Sequence, residues 1–188
     1  MLKPNNYDNT AVFGEELELG GHICKIMKVQ ETKSKSGKDM IVISLDIAEG
    51  KQAGYYADKY RSDTRQEKKW GCMVYQLVLD QDGNTNRGLK TFHTAVEESN
   101  PGFQVVWGDG YADCFTGKLI GGVFGKEEYV KQNGKTGFAT KCMFFRSVET
   151  IRKGVDIPDT KYLDDTQKPR TNLSAADIDI LSDEDLPF

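Results

Sequence analysis

The stretch that decides the fold is "GGHICKIMKVQETKSKSGKDMIVISLDIAEG", residues 20–50. Its second half alternates cleanly, with Ile41, Ile43, Leu45 and Ile47 on one side of an extended chain and Val42, Ser44 and Asp46 on the other. A period of two marks a strand with one buried face. The first half, roughly 22–32, is rich in Ile, Val and Met, and the polar "SKSGKD" between the halves contains the glycine of a tight turn. The whole reads as a long β-hairpin. Gly20-Gly21 ahead of it signals a bend or a close backbone approach.

Downstream, "YYADKYRSDTRQEKKWGCMVYQLVLD" (55–80) ends in a third strand near 71–79, after a polar, charged and aromatic portion. In "LKTFHTAVEESN" (89–100), Leu89, Phe92, Ala95 and Val96 recur at helical spacing, and Asn100-Pro101-Gly102 stops the helix. A second long hairpin follows at 118–151, with Asn133-Gly134 expected as the centre of a type I′ turn. Three strands, a helix and two strands predict a mainly β fold over residues 1–154. The expected form is a five-stranded Greek-key barrel of the OB type with a helix between strands 3 and 4. An unrelated α+β sheet is the alternative. From 155 the apolar periodicity ends in a segment rich in Asp, Pro, Thr and Ser, expected to be a disordered acidic tail over 155–188.

Charge divides at the same boundary. Residues 1–154 carry 22 Lys+Arg against 20 Asp+Glu, whereas 155–188 carry 3 against 9. A mildly basic body with a strongly acidic tail points to nucleic acid or to an interaction tail. The four cysteines (Cys24, Cys72, Cys114, Cys142) form no C-x-x-C pair and read as small buried hydrophobes. With His22-Ile23-Cys24 as the only near pair of ligands, neither a metal site nor a cofactor is expected. The absence of an apolar signal core in "MLKPNNYDNT" and of any span-length apolar run predicts a cytoplasmic protein that does not enter membranes.

The basic residues concentrate in three places. The first hairpin tip holds Lys33, Lys35 and Lys38, and the second hairpin holds Lys126, Lys131, Lys135 and Lys141 near Tyr129 and Phe138. Between them, Tyr55, Tyr56, Tyr60 and Trp70 interleave with Lys59, Arg61, Arg65, Lys68 and Lys69. Cations that follow phosphates, beside flat rings that stack on any base, are what an unpaired strand requires. The competing reading is that charged tips keep sheet edges soluble.

Other motifs carry less. "NGKTG" (133–137) has Tyr129 where a P-loop needs glycine, "DQDGNTN" (80–86) has its glycine too early for a calcium loop, and "WGDGYAD" (107–113) lacks the third glycine of a dinucleotide fingerprint. Asp39 with Glu49 and Lys51 matches the loose acid…Glu-x-Lys pattern of metal-dependent nucleases, which stands as an alternative function. Otherwise no catalytic residues are expected and the chain reads as a non-enzyme.

The chain closes on "LSDEDLPF", 181–188. Asp183, Glu184 and Asp185 followed by Leu186, Pro187 and Phe188 resemble the tail tip of bacterial single-stranded-DNA-binding proteins and their phage-encoded counterparts. The two long hairpins are similar, as a pattern, to the OB-fold proteins of phage replication modules. That resemblance implies coating of single-stranded DNA without sequence preference in replication, recombination and repair. It also implies recruitment of partners of the helicase, primase, polymerase or recombinase class through Asp183–Phe188. The family's tetrameric state is not carried over, so homo-oligomerisation stays open. An adaptor that does not touch DNA is a further alternative.

Overall fold

The computed structural model describes residues 2–3 and 16–163. In chain order its elements are β1 (Gly20–Lys33), β2 (Asp39–Ile47), α1 (Tyr55–Ser62), β3 (Met73–Leu77) and α2 (Arg87–Ser99), then a 3-10 turn at Asp113–Phe115, β4 (Leu119–Val130), β5 (Thr136–Arg146) and α3 (Val148–Lys153). The strands form one antiparallel sheet in the order β3-β2-β1-β4-β5. The expected barrel does not close: among the described residues no ladder joins β3 to β5. Helix α2 touches both strands across the gap. Farther along, Leu17 and α1 face the first half of β5. The fold is thus mainly β, with an open five-stranded sheet.

The alternating stretch behaves as its period requires. Ile41, Ile43, Leu45 and Ile47 are buried on the inner face of β2, and Val42 on its other face is buried as well. Asp46, expected outside, is buried too, because its carboxylate accepts the backbone N–H groups of Ile47 and Tyr56, each at 2.9 Å. Tyr56 lies in the first turn of α1, whose cap Gly54 is left-handed (φ 79°) and offers no side-chain acceptor. Asp46 satisfies one of the helix's orphan donors from outside and so pins α1 to β2.

Two strands break the alternation. Met27 in β1 and Met143 in β5 have no cross-strand partner. Each extra residue flips which positions face inward. In β1 the buried set passes from Cys24 and Ile26 to Val29, and in β5 the inward position passes from Cys142 to Phe145. Such bulges bend and twist their strands.

Helix α2 supplies the other layer of the core. Leu89, Phe92, Ala95 and Val96 are buried as their spacing predicts, and His93 joins them. The ring of Phe92 meets Phe115 at 5.0 Å and Phe145 at 5.2 Å between centroids. Asn86 caps the helix by accepting the Gly88 N–H. Asn100 ends it and ties it to β4, donating to the carbonyls of Val96 and Leu119 and accepting the Leu119 N–H.

Both hairpins turn in the same way. The Gly37 N–H reaches the Ser34 carbonyl and the Gly134 N–H reaches the Lys131 carbonyl, each at 2.8 Å, with φ of 76° and 75° at the two glycines. The type I′ turn expected at Asn133-Gly134 is therefore corrected. Gln132 and Asn133 are the central residues, and Gly134 follows them in the left-handed position of a three-residue loop. This arrangement asks only glycine to adopt positive φ, where a side chain would be strained. The Asn133 side chain accepts the Lys135 N–H instead.

Gly20-Gly21 marks a close approach. A Cβ on Gly21 would come within 2.6 Å of Val155. Residues 155–163, expected in the tail, run as a strap beside β4 where that strand outlasts β1. The Lys161 N–H donates to the Lys126 carbonyl and the Glu128 N–H to that of Lys161. Lys161 also pairs with Glu127 at 2.6 Å, and the Leu163 N–H donates to the Glu128 carboxylate. The overhanging edge of β4 would otherwise lack partners for these groups. The remainder of the expected tail, with Asp183–Phe188, lies outside the described residues. No described helix is long and apolar enough to cross a membrane.

Candidate nucleic-acid interface

Beyond Phe124 the second hairpin leaves the core, and its two faces diverge. Lys126 stands opposite Thr140 and Glu128 opposite Phe138, so these four share a face. Glu127 with Ala139, and Tyr129 with Gly137, belong to the other. The first face walls a groove of about 290 Å³ whose opposite wall is Tyr55 and Lys59 of α1, with Glu16 and Leu17 beside them. Three of the expected rings, Tyr55, Phe138 and, at the buried floor, Tyr56, and two of the expected cations, Lys59 and Lys126, are thereby brought together from distant parts of the chain.

The groove walls are held from behind. The Tyr55 hydroxyl accepts the Leu17 N–H at 3.0 Å, and the Lys59 ammonium lies 4.3 Å from the Tyr55 ring centroid. Phe138 is 50 % exposed and meets the strap's Tyr162 edge-on at 5.9 Å. A half-exposed ring with a fixed edge contact presents a face for stacking at little entropic cost.

A second group adjoins α1. Tyr60 is exposed, tilted against Trp70 at 5.5 Å, with Lys68 5.6 Å from its centroid. Trp70 is half-buried against the core and its indole N–H donates to the Leu45 carbonyl at 2.7 Å. Tyr60 is thus the ring of this pair that faces solvent. Tyr56 is corrected as a stacking candidate: it is 5 % exposed and stacks on Phe124 in the core. Burial also holds its hydroxyl well above the ordinary tyrosine range.

The remaining candidates are dispersed. β1 carries the first hairpin tip past Lys33, while β4 pairs with β1 only over Gly20–Lys25 and then continues past Gly20. The two tips therefore leave opposite ends of β1, and Lys33, Lys35 and Lys38 do not line the groove. Tyr129 stands on the face away from Phe138, where the stem of Lys131 crosses Gly137. Lys135 lies at the tip and Lys69 beside Trp70.

Ion pairs sort the cations further. Lys33 pairs with Asp39, Arg61 with Asp58, Arg65 with Asp63 and Lys141 with Glu127. The Arg65 hydrogen bonds hold the Asp63 carboxyl down at about 2. Lys59, Lys68 and Lys126 make no ion pair among the described residues, which leaves their charge for an incoming anion.

The carboxylates of the nuclease pattern do not converge. Asp39 opens β2 and Glu49 follows its end, separated by roughly 25 Å or more of strand. Each is engaged elsewhere, Asp39 with Lys33 and Glu49 with Arg152. Among the described residues no group of three His, Cys, Asp or Glu side chains is placed to hold a metal ion. All four cysteines are free. Burial pushes the Cys72 thiol up to about 12 and raises Cys24 and Cys142 as well, which suits inert core thiols.

Several exposed rings are additional to those singled out in the sequence: Tyr75, Trp107, Phe144 and Tyr162. Trp107 stacks on Tyr111 at 5.5 Å and 21°. Phe144 had a legible signal, since two adjacent aromatics on a strand cannot both face inward. Compared with protein-family models and with curated proteins, the sequence matches none.

Proposed function

We propose that the protein binds single-stranded DNA without sequence preference, along the groove between α1 and the projecting half of β4–β5. The observation that carries this reading is the meeting of Tyr55 and Lys59 with Lys126 and Phe138 across that groove. Rings on either wall accept any base by stacking, while the ammonium groups neutralise phosphates, so neither term reads sequence. A duplex keeps its bases stacked in its interior and offers these rings none to stack on.

The strand pairings are those of an OB barrel left unpaired at the seam between β3 and β5, and a partly open barrel is within that fold's range. We take the sheet as such a variant. The acidic tip Asp183–Phe188 then serves as the handle for replication and recombination partners, with Phe188 as the ring a partner pocket takes and Pro187 limiting the entropy lost on docking.

A salt titration of binding to labelled single-stranded and duplex oligonucleotides tests the reading. Affinity should fall steeply with salt and favour single strands over duplex. Salt-insensitive binding, duplex preference, or capture of partners without any shift of single strands would each reject it. Phe188→Ala should leave strand affinity unchanged and remove partner recruitment, since no charge is altered.

A further inference from the structure

A second cleft, of about 360 Å³, lies farther along β5, between α2 and the start of α3. Arg87 and Lys90 reach it from the exposed side of α2, and Arg146 from the end of β5. Thr94 stands between them, and Glu98 is the one carboxylate on its lining. Neither Arg87 nor Lys90 makes a side-chain ion pair among the described residues. Arg146 donates to the Phe145 carbonyl at 2.8 Å, and its guanidinium sits 5.7 Å from the centroid of Phe144. Phe144 itself is 50 % exposed.

We propose that this cleft is a second contact for the same strand, taking a backbone phosphate between Arg87, Lys90 and Arg146 while an unpaired base stacks on Phe144. Three cations against one carboxylate select an anion. Arg146 belongs to both halves of the arrangement, because it faces the cleft and flanks the ring. A free phosphate would use only the cations; a strand uses the cations and the ring together. A duplex, whose bases are already stacked, has none to offer Phe144. β5 is the edge strand shared by both grooves: Phe138 and Thr140 line the first, and Phe145 and Arg146 the second. Between them the bulge at Met143 shifts the parity of the strand, so that Phe145 takes the inward position and Phe144 the outward one.

This inference rests on single-strand binding at the first groove, and one experiment separates the two. Binding of the full chain to oligothymidylates of about 4 to about 16 nucleotides, the span of OB-fold site sizes, is measured by anisotropy across a salt series. The double variant R87Q/K90Q should bind the shortest strands as the parent does and lose affinity for long ones. Its salt slope on long strands should fall by about 0.7 for each phosphate contact removed. Phe144→Ser should weaken long-strand binding without changing that slope. Inorganic phosphate that competes only in the parent, with no length dependence and no effect of Phe144→Ser, would reduce the cleft to an anion site and overturn the proposal. Unchanged long-strand binding by both variants overturns the second contact and leaves the first groove standing. Failure of the parent to bind any single strand overturns both.

Discussion

In the first hairpin, β1 and β2 are backed by buried apolar residues from Cys24 and Ile47 up to Val29 and Ile41, so that little more than the loop projects. In the second, β4 is buried only from Ile120 to Gly125 and β5 only at Phe145, and the outer half stands clear of the core with one face turned to α1. Both carry lysines on loops of the same geometry. What differs is the company those lysines keep. Beside the first tip Lys33 faces Asp39, whereas Lys126 shares its face with Phe138 opposite Tyr55. Exposed charge alone attracts over a screening length of about 10 Å at moderate salt. A ring fixed beside the charge adds a contact that salt does not screen.

The largest expected difference lies within the second hairpin. Phe124→Ala, at a fully buried ring, should cost about 3–5 kcal/mol in denaturant unfolding. Phe138→Ala, half-exposed on the same hairpin, should change stability by about 0.5 kcal/mol. Equal losses would mean that the outer half is core after all. In binding, the order should invert across the two faces. Phe138→Ala should weaken single-strand affinity by about 1–3 kcal/mol in an anisotropy titration, while Tyr129→Ala on the opposite face should leave it intact. A dominant effect of Tyr129 would move the strand to the outer surface.

A smaller difference should separate the lysines. Lys126→Gln should lower the salt slope by about 0.7, the value for one phosphate on a single strand. Lys38→Gln at the first tip should leave both the affinity and the slope nearly unchanged. Identical slopes would make the two hairpins equivalent partners of the strand.

The smallest effect concerns the core that both hairpins share. Burial lowers the pKa of His93, whose ring also meets the Tyr111 hydroxyl at 2.7 Å. The unfolded chain therefore takes up a proton near pH 6.5 that the folded chain refuses. Stability should decline as pH falls below about 6.5, and the thermal midpoint of His93→Phe should be flatter over that window. A midpoint that falls equally in both proteins would assign the acid sensitivity to other groups.

The hairpins were legible because local rules govern them. The unbroken alternation of β2 and the apolar spacing of α2 gave strand, helix and buried faces directly. Three things were hidden. Bulges at Met27 and Met143 shift the parity of β1 and β5, so the pair Phe144-Phe145 signals one outward ring without saying which. α1 has a poor apolar pattern and owes its place to Asp46, a residue whose position in the alternation assigned it to solvent. The strap from Val155 has no period of its own, because its partner is the overhanging edge of β4 rather than a sheet on both sides. At the site, the sequence supplied residue types but not company: Tyr56 went to the core, and Tyr129 to the far face. Only the strand register separates Tyr129 from Phe138.

The sheet order has a kinetic consequence. β1 pairs locally with β2, and β4 with β5, but Gly20 meets Phe124 across most of the described chain. Each hairpin can form in about 1–10 μs, whereas pairing β1 with β4 must first close a loop containing α1, β3 and α2. Contacts so distant in sequence place folding in the millisecond-to-second range of non-local β topologies. Until that late step, the edges of β1 and β4 are unpaired templates for another chain. Pulse-labelled amide exchange during refolding should accordingly protect Val42 and Gln30, which face each other across β1–β2, well before Cys24 and Ile120, which face each other across β1–β4, and aggregation should compete most strongly in the interval between.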